Sequence, residues 1–451
     1  MKNLVSLVRY VLRDTYHKQT KEVKEMIRQT VLPFKLETTK DMITSHAGLA
    51  LLGEFAVGLG FARMMDDVLP GPGSGSGYRV SEHVMPVVLM LNGGGRSLED
   101  LRGIRTDSGL RELLALKRIP SSDATGDWLR RSFGNGGFEG LAAVNRAVLA
   151  RGLCNDGFLS YTLDMDATGI EAWKESARMT YKGYRGYMPI VGHLAENGLI
   201  VGDEFRHGNE APSHRNLAFL KYCERQLPVG KRIGALRADS SAYQAVIIDY
   251  CHDNGIAYAV GADCDSAVME QITRINAHEW HNYQDGHIAE TVHCMNKSHH
   301  SFRLIVVRRP FQTDLFDDGE SAARYKVIAT NREGTSEEVL HWYNQRGQHS
   351  ENRIKELKIG FGMERMPCGQ FGANAVFFRI GVLAYNLDRL FVLKTLDSSW
   401  HHHQVQTLRW KLYGTAGKIV FHGGALWLKV RRHMRELFAA IRLRSWSFAE
   451  G

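Results

Sequence analysis

The chain has few cysteines, and none of them form a closely spaced pair. Its six cysteines are scattered between Cys154 and Cys368, without the CxxC spacing that builds zinc sites or redox centres. No apolar run is long enough to cross a bilayer, and Asp14 and Lys18 interrupt the stretch where a signal peptide would be apolar. The triple glycine at 93–95 lacks the Lys and Ser or Thr of a nucleotide phosphate loop. We therefore expect a cytoplasmic protein with no membrane partner and no bound ATP.

Positive charge is concentrated near the end of the chain. The formal net charge is +8, and Lys394 to Arg444 alone holds ten Lys or Arg against two acids. Such an excess favours a polyanionic partner, because cations that neutralise phosphates release condensed counterions. A solvated helix face is the alternative explanation of a charge run. We favour phosphate contact, with Lys429, Arg431 and Arg432 as candidate DNA-binding residues.

The first 150 residues have apolar side chains at helical spacing. Residues 3–30 are typical of a basic helix, and Ala47 to Val68 predicts a second helix. The stretch 69–77, LPGPGSGSG, predicts a flexible connection, after which residues 82–131 are helical again. Short helices of this kind suit a DNA-binding and dimerising module, and equally a plain helical bundle.

Beyond Asn155 the period changes to that of strands. Leu159 to Asp166 alternates apolar and polar residues, which predicts a strand ending in two acids on one face, Asp164 and Asp166. Residues 232–238, 241–252 and 256–262 predict a strand, a helix and a strand, which make one βαβ unit.

The stretch between this unit and the last third of the chain has the appearance of an insertion. Strands are predicted at 302–307 and, after the insertion, at 325–330. Residues 337–357 are expected to be helical across a polar turn, and 374–393 form a strongly apolar helix.

Acidic residues close two of the predicted strands. Asp166 ends the first strand, and Asp239 ends the second where a helix begins. Active sites collect at strand ends in α/β sheets, and two carboxylates held close together repel unless a divalent cation lies between them. Solvated acids at a strand end, and a helix cap at Asp239, are the structural alternatives.

A third carboxylate lies in the run YNQRGQHSENRIKELK, residues 343–358. On a helix, Glu351, Lys355 and Lys358 fall on one face. One carboxylate and two ammonium groups that point the same way suit a metal ion and the phosphates beside it. An ordinary surface pair of Glu351 with Lys355 is the alternative.

These residues resemble those of a known family. The three carboxylates and the Tyr, Arg, Glu, Lys run are similar to the DDE transposases of bacterial insertion sequences, in the branch marked by that four-residue signature. More narrowly, SGSGY, GGGRSLEDLR, LRADS, NAVFFRIGVLAYNL and LRWKLYGTAGKIV resemble insertion-sequence family thirteen-eighty. The similarity extends from about Ser74 to about Val420, and the combination of motifs is specific. It implies an α/β fold, with a ribonuclease-H-like catalytic core, a β-rich insertion and a preceding helical region.

The resemblance also implies residue roles. The catalytic and metal-binding triad is Asp166, Asp239 and Glu351, which would hold two Mg²⁺ ions that Mn²⁺ can replace. The DNA phosphate beside the triad would be contacted by basic and aromatic residues of the same run, namely Tyr343, Arg346, Lys355 and Lys358.

Two assignments within this set are open. Four residues separate Arg346 from Glu351, where the common pattern has three, and a bulge in the turn before the helix could absorb the extra residue. Asp164 shares its strand face with Asp166 and is the substitute first acid. We choose Asp166 because the family has its first acid just ahead of a hydroxyl residue, here Thr168.

Trp280 lies in the inserted stretch, where related transposases use an aromatic side chain to stack a flipped base. A buried structural tryptophan is the alternative for this residue.

The expected organisation has five parts: a helical DNA-binding and dimerisation region at 1–150, the first part of the catalytic core at 155–265, the insertion at 266–324, the second part of the core at 325–395, and a basic extension at 396–451. The resemblance implies an enzyme that binds the terminal inverted repeats of the element, cleaves its ends and joins the 3′-OH strands to target DNA. The partner is double-stranded DNA, and a homodimer follows from the need to join two ends. A silent DNA-binding relative, or a metal-dependent nuclease that cuts without joining, are the rival interpretations.

Overall fold

A computed structural model describes residues 36–309 and 324–450. The predicted basic helix at 3–30 lies outside the described residues. The chain divides into two units, Met1–Met42 and Ile43–Gly451, and the elements discussed below belong to the second.

The regular elements of the described residues follow in chain order. The helices are α1 Ala47–Gly58, α2 Phe61–Val68, α3 Val80–Gly93, α4 Leu101–Thr106, α5 Ser108–Leu113, α6 Ser122–Gly134, α7 Gly137–Leu153, α8 Asn216–Gln226, α9 Ala245–Asp253, α10 Ser266–Thr273, α11 Ser336–Lys355, α12 Phe371–Thr395, α13 Val405–Leu408 and α14 Arg432–Glu450. The strands are β1 Met42–Thr44, β2 Ser160–Ala167, β3 Ile170–Glu171, β4 Arg178–Met179, β5 Arg185–Tyr187, β6 Ile190–Leu194, β7 Ile200–Glu204, β8 Arg232–Ala238, β9 Ala257–Ala262, β10 His281–Tyr283, β11 Gly286–His293, β12 Phe302–Arg309, β13 Arg324–Thr330, β14 Gly417–His422 and β15 Ala425–Lys429.

The first helical stretch is broken where the sequence predicts one helix. Gly60, at φ 75°, lies between α1 and α2, in a left-handed conformation that glycine adopts without steric cost. The two helices are bent by 52° relative to each other. No single described helix has the length and apolar character of a membrane span, although α1 and α2 taken together meet those two criteria.

A nine-stranded sheet of mixed direction forms the centre of the unit. Its order is β10-β11-β12-β13-β9-β8-β2-β6-β7. Strands β2, β8 and β9 are parallel, and the remaining pairs are antiparallel. The predicted βαβ unit is confirmed as β8, α9 and β9. Helix α9 begins at Ala245 rather than at Ser241, because Ser240–Ala242 forms a separate 3-10 turn.

The strands of the presumed insertion continue this same sheet. β11 pairs with β12, β12 with β13, and β13 with the central strand β9. The strands predicted at 302–307 and 325–330 are confirmed as β12 and β13. Whether 266–324 is a separate domain stays a prediction, as do the other domain boundaries.

Helix α12 joins the helical layer to the sheet. It packs against α1, α3, α6, α7 and α14, and also against the edge strand β7. The Asn386 side chain donates to Asn145 Oδ1 at 2.7 Å and accepts from the backbone N–H of Ile200 at 2.8 Å. Arg379 forms a buried ion pair with Asp203, at 3.1 Å from Nε to Oδ1. These buried polar contacts fix one orientation of the helix against the sheet, because leaving any partner unpaired would be costly.

Two small sheets lie outside the main one. Strands β3, β5 and β4 form one of them directly after β2. The other includes the hairpin of β14 and β15, whose turn Gly423-Gly424 has positive φ at both residues, as a tight hairpin turn requires. The basic end of the chain therefore contains this hairpin followed by helix α14.

Candidate active site

Two acidic side chains leave neighbouring parallel strands at the same edge of the sheet. Met165 of β2 pairs with Ala238 of β8, so that Asp166 and Asp239 come next along each strand. The Asp239 Oδ1 atom accepts hydrogen bonds from the backbone N–H and the hydroxyl of Ser241, at 3.1 and 2.6 Å. Asp239 therefore caps the short 3-10 turn through one of its two oxygens. Among the described residues, nothing donates a hydrogen bond to its Oδ2 atom.

The third acid is carried by helix α11, which crosses the strands that bear the first two. The helix begins with a capping box, in which Thr335 Oγ1 accepts from the backbone N–H of Glu338 and Glu338 Oε2 accepts from that of Thr335. Val339 and Leu340 are buried on its sheet-facing side. The helix contacts β2, β8 and β9, which brings Glu351 to the edge where Asp166 lies.

The expected turn between Arg346 and Glu351 is absent. Residues 336–355 form one uninterrupted α-helix, and the only irregularity nearby is a π-helical turn after it, Glu356–Gly360. No bulge absorbs the extra residue between Arg346 and Glu351, and that expectation was wrong. Arg346 nevertheless reaches the first acid, with 3.4 Å between its Nη1 atom and Oδ2 of Asp166.

Asp239 and Glu351 both contribute to the electrostatics of Asp166. Burial raises the pKa of this carboxyl to about 6, with Asp239 and Glu351 adding to the rise and Arg346 opposing it. Like charges disfavour ionisation of a neighbouring carboxyl at short range. Both other carboxylates therefore lie close enough to repel the charge on Asp166.

A cleft of 280 Å³ opens between the end of β2 and helix α11. Its lining residues are Asp166, Thr168, Glu351, Ile354, Lys355, Lys358, Ile359 and Glu364. Lys358 donates to the backbone carbonyl of Gly169 at 2.6 Å, and burial lowers its pKa, which Glu364 opposes. Both lysines of the signature run thus line the same cleft as two of the acids.

Tyr343 is buried and does not line this cleft. Its ring is buried against the sheet, with the Lys326 ammonium 5.3 Å from the ring centroid. Burial raises the pKa of its hydroxyl, and Arg346 opposes the rise. The hydroxyl approaches Gly261 so closely that a Cβ at that position would be 3.1 Å away.

Asp164, the substitute first acid, is held in an ion pair. It is fully buried, and Arg237 binds both of its oxygens, at 2.7 Å from Nε to Oδ1 and 2.8 Å from Nη2 to Oδ2. Arg237 also donates to the backbone carbonyl of Trp342 on α11, at 2.8 Å. Sequence reasoning missed Arg237, although a charged residue within an apolar strand is a signal that a buried partner exists.

The remaining candidates lie away from the cleft. Trp280 is half-buried, and the guanidinium of Arg308 lies 4.3 Å from its ring centroid. Lys429 is at the end of β15, and Arg431 and Arg432 precede or begin α14; all three are exposed and none of them lines the cleft.

The donor atoms of the site suit a hard cation, but they are not gathered around one point. Carboxylate oxygens are the ligands that Mg²⁺ and Mn²⁺ prefer. The repulsion felt by Asp166 is the kind that a cation between carboxylates relieves. Yet within residues 36–309 and 324–450, no group of three or more His, Cys, Asp or Glu side chains is close enough to hold a metal ion.

The sequence matches a known protein family along most of its length. The family described as Transposase DDE domain group 1 covers residues 28–443. The chain belongs to this family of DDE transposases. No curated protein matches the transposase significantly. Family membership supports a transposase function, a DNA-processing enzyme and DNA as the partner.

Proposed function

We propose that this transposase binds the terminal inverted repeats of an insertion sequence, cleaves the ends and transfers the 3′-OH strands to target DNA. We further propose that it belongs to insertion-sequence family thirteen-eighty, in the branch with the Tyr, Arg, Glu, Lys signature, and that its central sheet is a ribonuclease-H-like core. The observation that carries the proposal is that Asp166 and Glu351 line one cleft together with Lys355 and Lys358. Asp239 directly follows the parallel strand beside that of Asp166.

In this proposal the three carboxylates hold Mg²⁺, or Mn²⁺ in its place. The bound cations supply activation of the attacking oxygen and stabilisation of the leaving one. The chain itself positions the DNA: Lys355 at the cleft offers an exposed ammonium group to a phosphate oxygen. Lys358, held by Gly169, provides a second positive charge in a fixed place.

Arg346 has a different part. It faces Asp166 and serves as the counter-charge of that carboxyl. If Asp166 held a cation, Arg346 would be less needed as its counter-charge and could bind a phosphate, which its planar array of donors suits. Tyr343 supports Arg346 from below, since its hydroxyl and ring lie next to the guanidinium.

The surroundings of the two candidate first acids support Asp166 over Asp164. Asp166 keeps a partly exposed carboxyl at the cleft, whereas both oxygens of Asp164 are bound by Arg237 in the interior. A cation at Asp164 would have to break a buried ion pair, and this leaves an uncompensated buried charge.

The proposal is tested with labelled DNA of an element end and unlabelled target DNA in Mg²⁺. We expect Asp166→Asn, Asp239→Asn and Glu351→Gln each to lower end cleavage by at least about 100-fold while DNA binding persists. Glu112→Gln, at an exposed acid remote in sequence from the triad, is the matched control and should cleave normally.

The products separate the rival functions. Joined products support transposition, cut but unjoined DNA supports a nuclease, and binding without cleavage supports a silent DNA-binding protein. Any triad variant that retains full cleavage removes its residue from the proposed triad. A homodimer is expected when both ends are bound, because two ends must be joined in one event.

A further inference from the structure

A small sheet next to the catalytic cleft exposes aromatic side chains. Residues 170–187, here termed the flap, contain β3, β4 and β5. Within the flap, Ala172 donates its backbone N–H to the Arg185 carbonyl at 2.9 Å. Ser176 ties the flap to the loop before α12, because its backbone N–H and its hydroxyl both donate to the Gly369 carbonyl, at 3.1 and 2.6 Å. It begins four residues after Asp166 and is therefore tied directly to the strand that carries the first acid.

Two large rings of the flap face solvent. Trp173 is 79% exposed and Tyr181 is 65% exposed. Tryptophan is highly buried on average, so an open indole ring on a well-anchored element calls for a partner. A third ring, Tyr184, lies against Gly169, where a Cβ would be 1.7 Å from its hydroxyl oxygen.

Trp173 and Tyr184 line a second cleft, of 510 Å³, which adjoins the catalytic one. The two clefts share Lys358 and Glu364 in their linings. The volume is within the range of about 300–1,000 Å³ that is typical of ligand pockets. A chain of nucleotides that has one phosphate at the acids can thus continue past Lys358 onto the flap.

The charges of the flap favour a nucleic acid. The flap has an excess of two positive charges, with four basic residues, Lys174, Arg178, Lys182 and Arg185, against the acids Glu171 and Glu175. Among the described residues, Lys174, Arg178 and Lys182 make no ion pair. Cations interleaved with exposed rings are the pattern by which proteins hold single strands, because every base has a face that can stack. By contrast, Arg308 already covers a face of Trp280.

We propose that the flap is a stacking platform for unpaired nucleotides beside the phosphate to be cut, with a base on Trp173 and the backbone along the flap's cations. The proposal rests on the proposed function, since it takes the catalytic cleft as the place of cleavage. It assigns base stacking to Trp173 rather than to Trp280.

The test measures single-strand binding by the full chain in EDTA, so that no cleavage step contributes. The probe is a short oligodeoxythymidine with one internal 2-aminopurine, whose fluorescence falls when the base stacks. We expect Trp173→Ala to weaken binding by about 5- to 150-fold and to abolish the fluorescence loss, while Trp173→Phe keeps both. Binding of a blunt duplex, which offers few unpaired bases, should change much less.

Val229 lies outside the flap and provides the control position. Val229→Ala, at a fully exposed side chain outside the flap, should bind the probe as the wild type does. Equal binding and equal fluorescence loss for Trp173→Ala and wild type would overturn the proposal, as would a shift from dimer to monomer with unchanged DNA binding, which indicates a protein contact. Because the binding measurement in EDTA needs no metal, loss of cleavage by the triad variants and loss of stacking by Trp173→Ala are separable failures.

Discussion

Asp164 and Asp166, two residues apart on β2, should respond in opposite ways to the same substitution. Asp164→Asn removes the charge that balances Arg237, and both side chains of this pair are almost completely buried, at 0% and 2% exposure. Asp166→Asn instead removes a charge that burial, Asp239 and Glu351 disfavour. We therefore expect the first variant to lose stability and keep its chemistry, and the second to keep its stability and lose its chemistry.

The size of the first effect follows from the burial of the pair. Removing one partner of a buried ion pair costs about 3–5 kcal/mol, because the other charge is left uncompensated. At about 2.1 cal/mol/K for each of 451 residues, the unfolding entropy is about 0.9 kcal/mol/K. The melting temperature of Asp164→Asn should then fall by about 3–5 °C if the chain unfolds as one unit. That of Asp166→Asn should stay level or rise, because the relief of repulsion offsets the loss of Arg346's partner.

Calorimetry in EDTA at neutral pH measures both melting temperatures, and end cleavage in Mg²⁺ is measured well below them. Asp164→Asn should retain cleavage within about tenfold, whereas Asp166→Asn should lose at least about 100-fold. The reasoning is refuted if Asp164→Asn melts like wild type and fails to cleave, since Asp164 would then be the first acid. Arg237→Met, which removes the guanidinium that binds both oxygens of Asp164, should also lower the melting temperature.

Three further outcomes are expected elsewhere in the chain. His83 is stacked 5.0 Å from Trp128, and burial and Arg131 lower its pKa to about 4 from 6.5, so the unfolded chain binds the extra proton between these values and stability falls as pH drops through them. At pH 5 this costs about 2 kcal/mol relative to pH 8, and His83→Phe should remove that part of the pH dependence of the melting temperature. Gly198 has φ +79°, and a Cβ there would be 1.2 Å from Nη1 at the tip of the Arg353 side chain, so Gly198→Ala should lower the free energy of unfolding by about 1–2 kcal/mol, mainly through backbone strain. The melting temperature should fall accordingly, whereas that of Gly71→Ala, which meets nothing within 4 Å, should not. Lys355→Met should weaken DNA binding equally for all sequences and reduce the slope of log affinity against log salt by about 1, and an unchanged slope would remove Lys355 from the phosphate contacts.

The strands that carry the first two acids were predictable because their signals are local. Alternating side chains define β2, and an apolar run that ends in an acid defines β8. Their adjacency, by contrast, is a property of the sheet. Only the parallel register, which sets Asp164 opposite Arg237, distinguishes the structural acid from Asp166, the partly exposed acid two residues later.

The continuity of α11 was not predictable, because packing outweighs local preference there. The polar run GQHS at 347–350 is typical of a turn. Buried Tyr343 and Ile354 lie eleven residues apart, close to three helical turns, so both face the protein interior if the helix continues. A turn between them would expose one of these faces, and the cost of exposing a large apolar side chain, about 1.5–3 kcal/mol, exceeds the small helix preference of a few polar residues.

The β14–β15 hairpin was predictable from its two glycines, although the sequence interpretation of this region rested on its basic residues. Gly423-Gly424 between Phe421 and Leu426 is a typical two-residue turn flanked by strand residues. The run of basic residues alone predicts a solvated helix face, and the structure has a helix only from Arg432 onward.

The raised pKa of Asp166 and the position of Arg346 reflect one balance of charge. Asp239 and Glu351 disfavour the charge on Asp166, and the Arg346 guanidinium, 3.4 Å away, favours it. Five residues on a helix span about 500°, so Arg346 and Glu351 point about 140° apart and approach Asp166 from different sides. We propose that Asp166, if it held a cation, would need Arg346 less as a counter-charge, and that a phosphate bound by Arg346 would leave Asp166 to the cation. DNA and metal should therefore bind cooperatively, each strengthening the affinity for the other by the same factor.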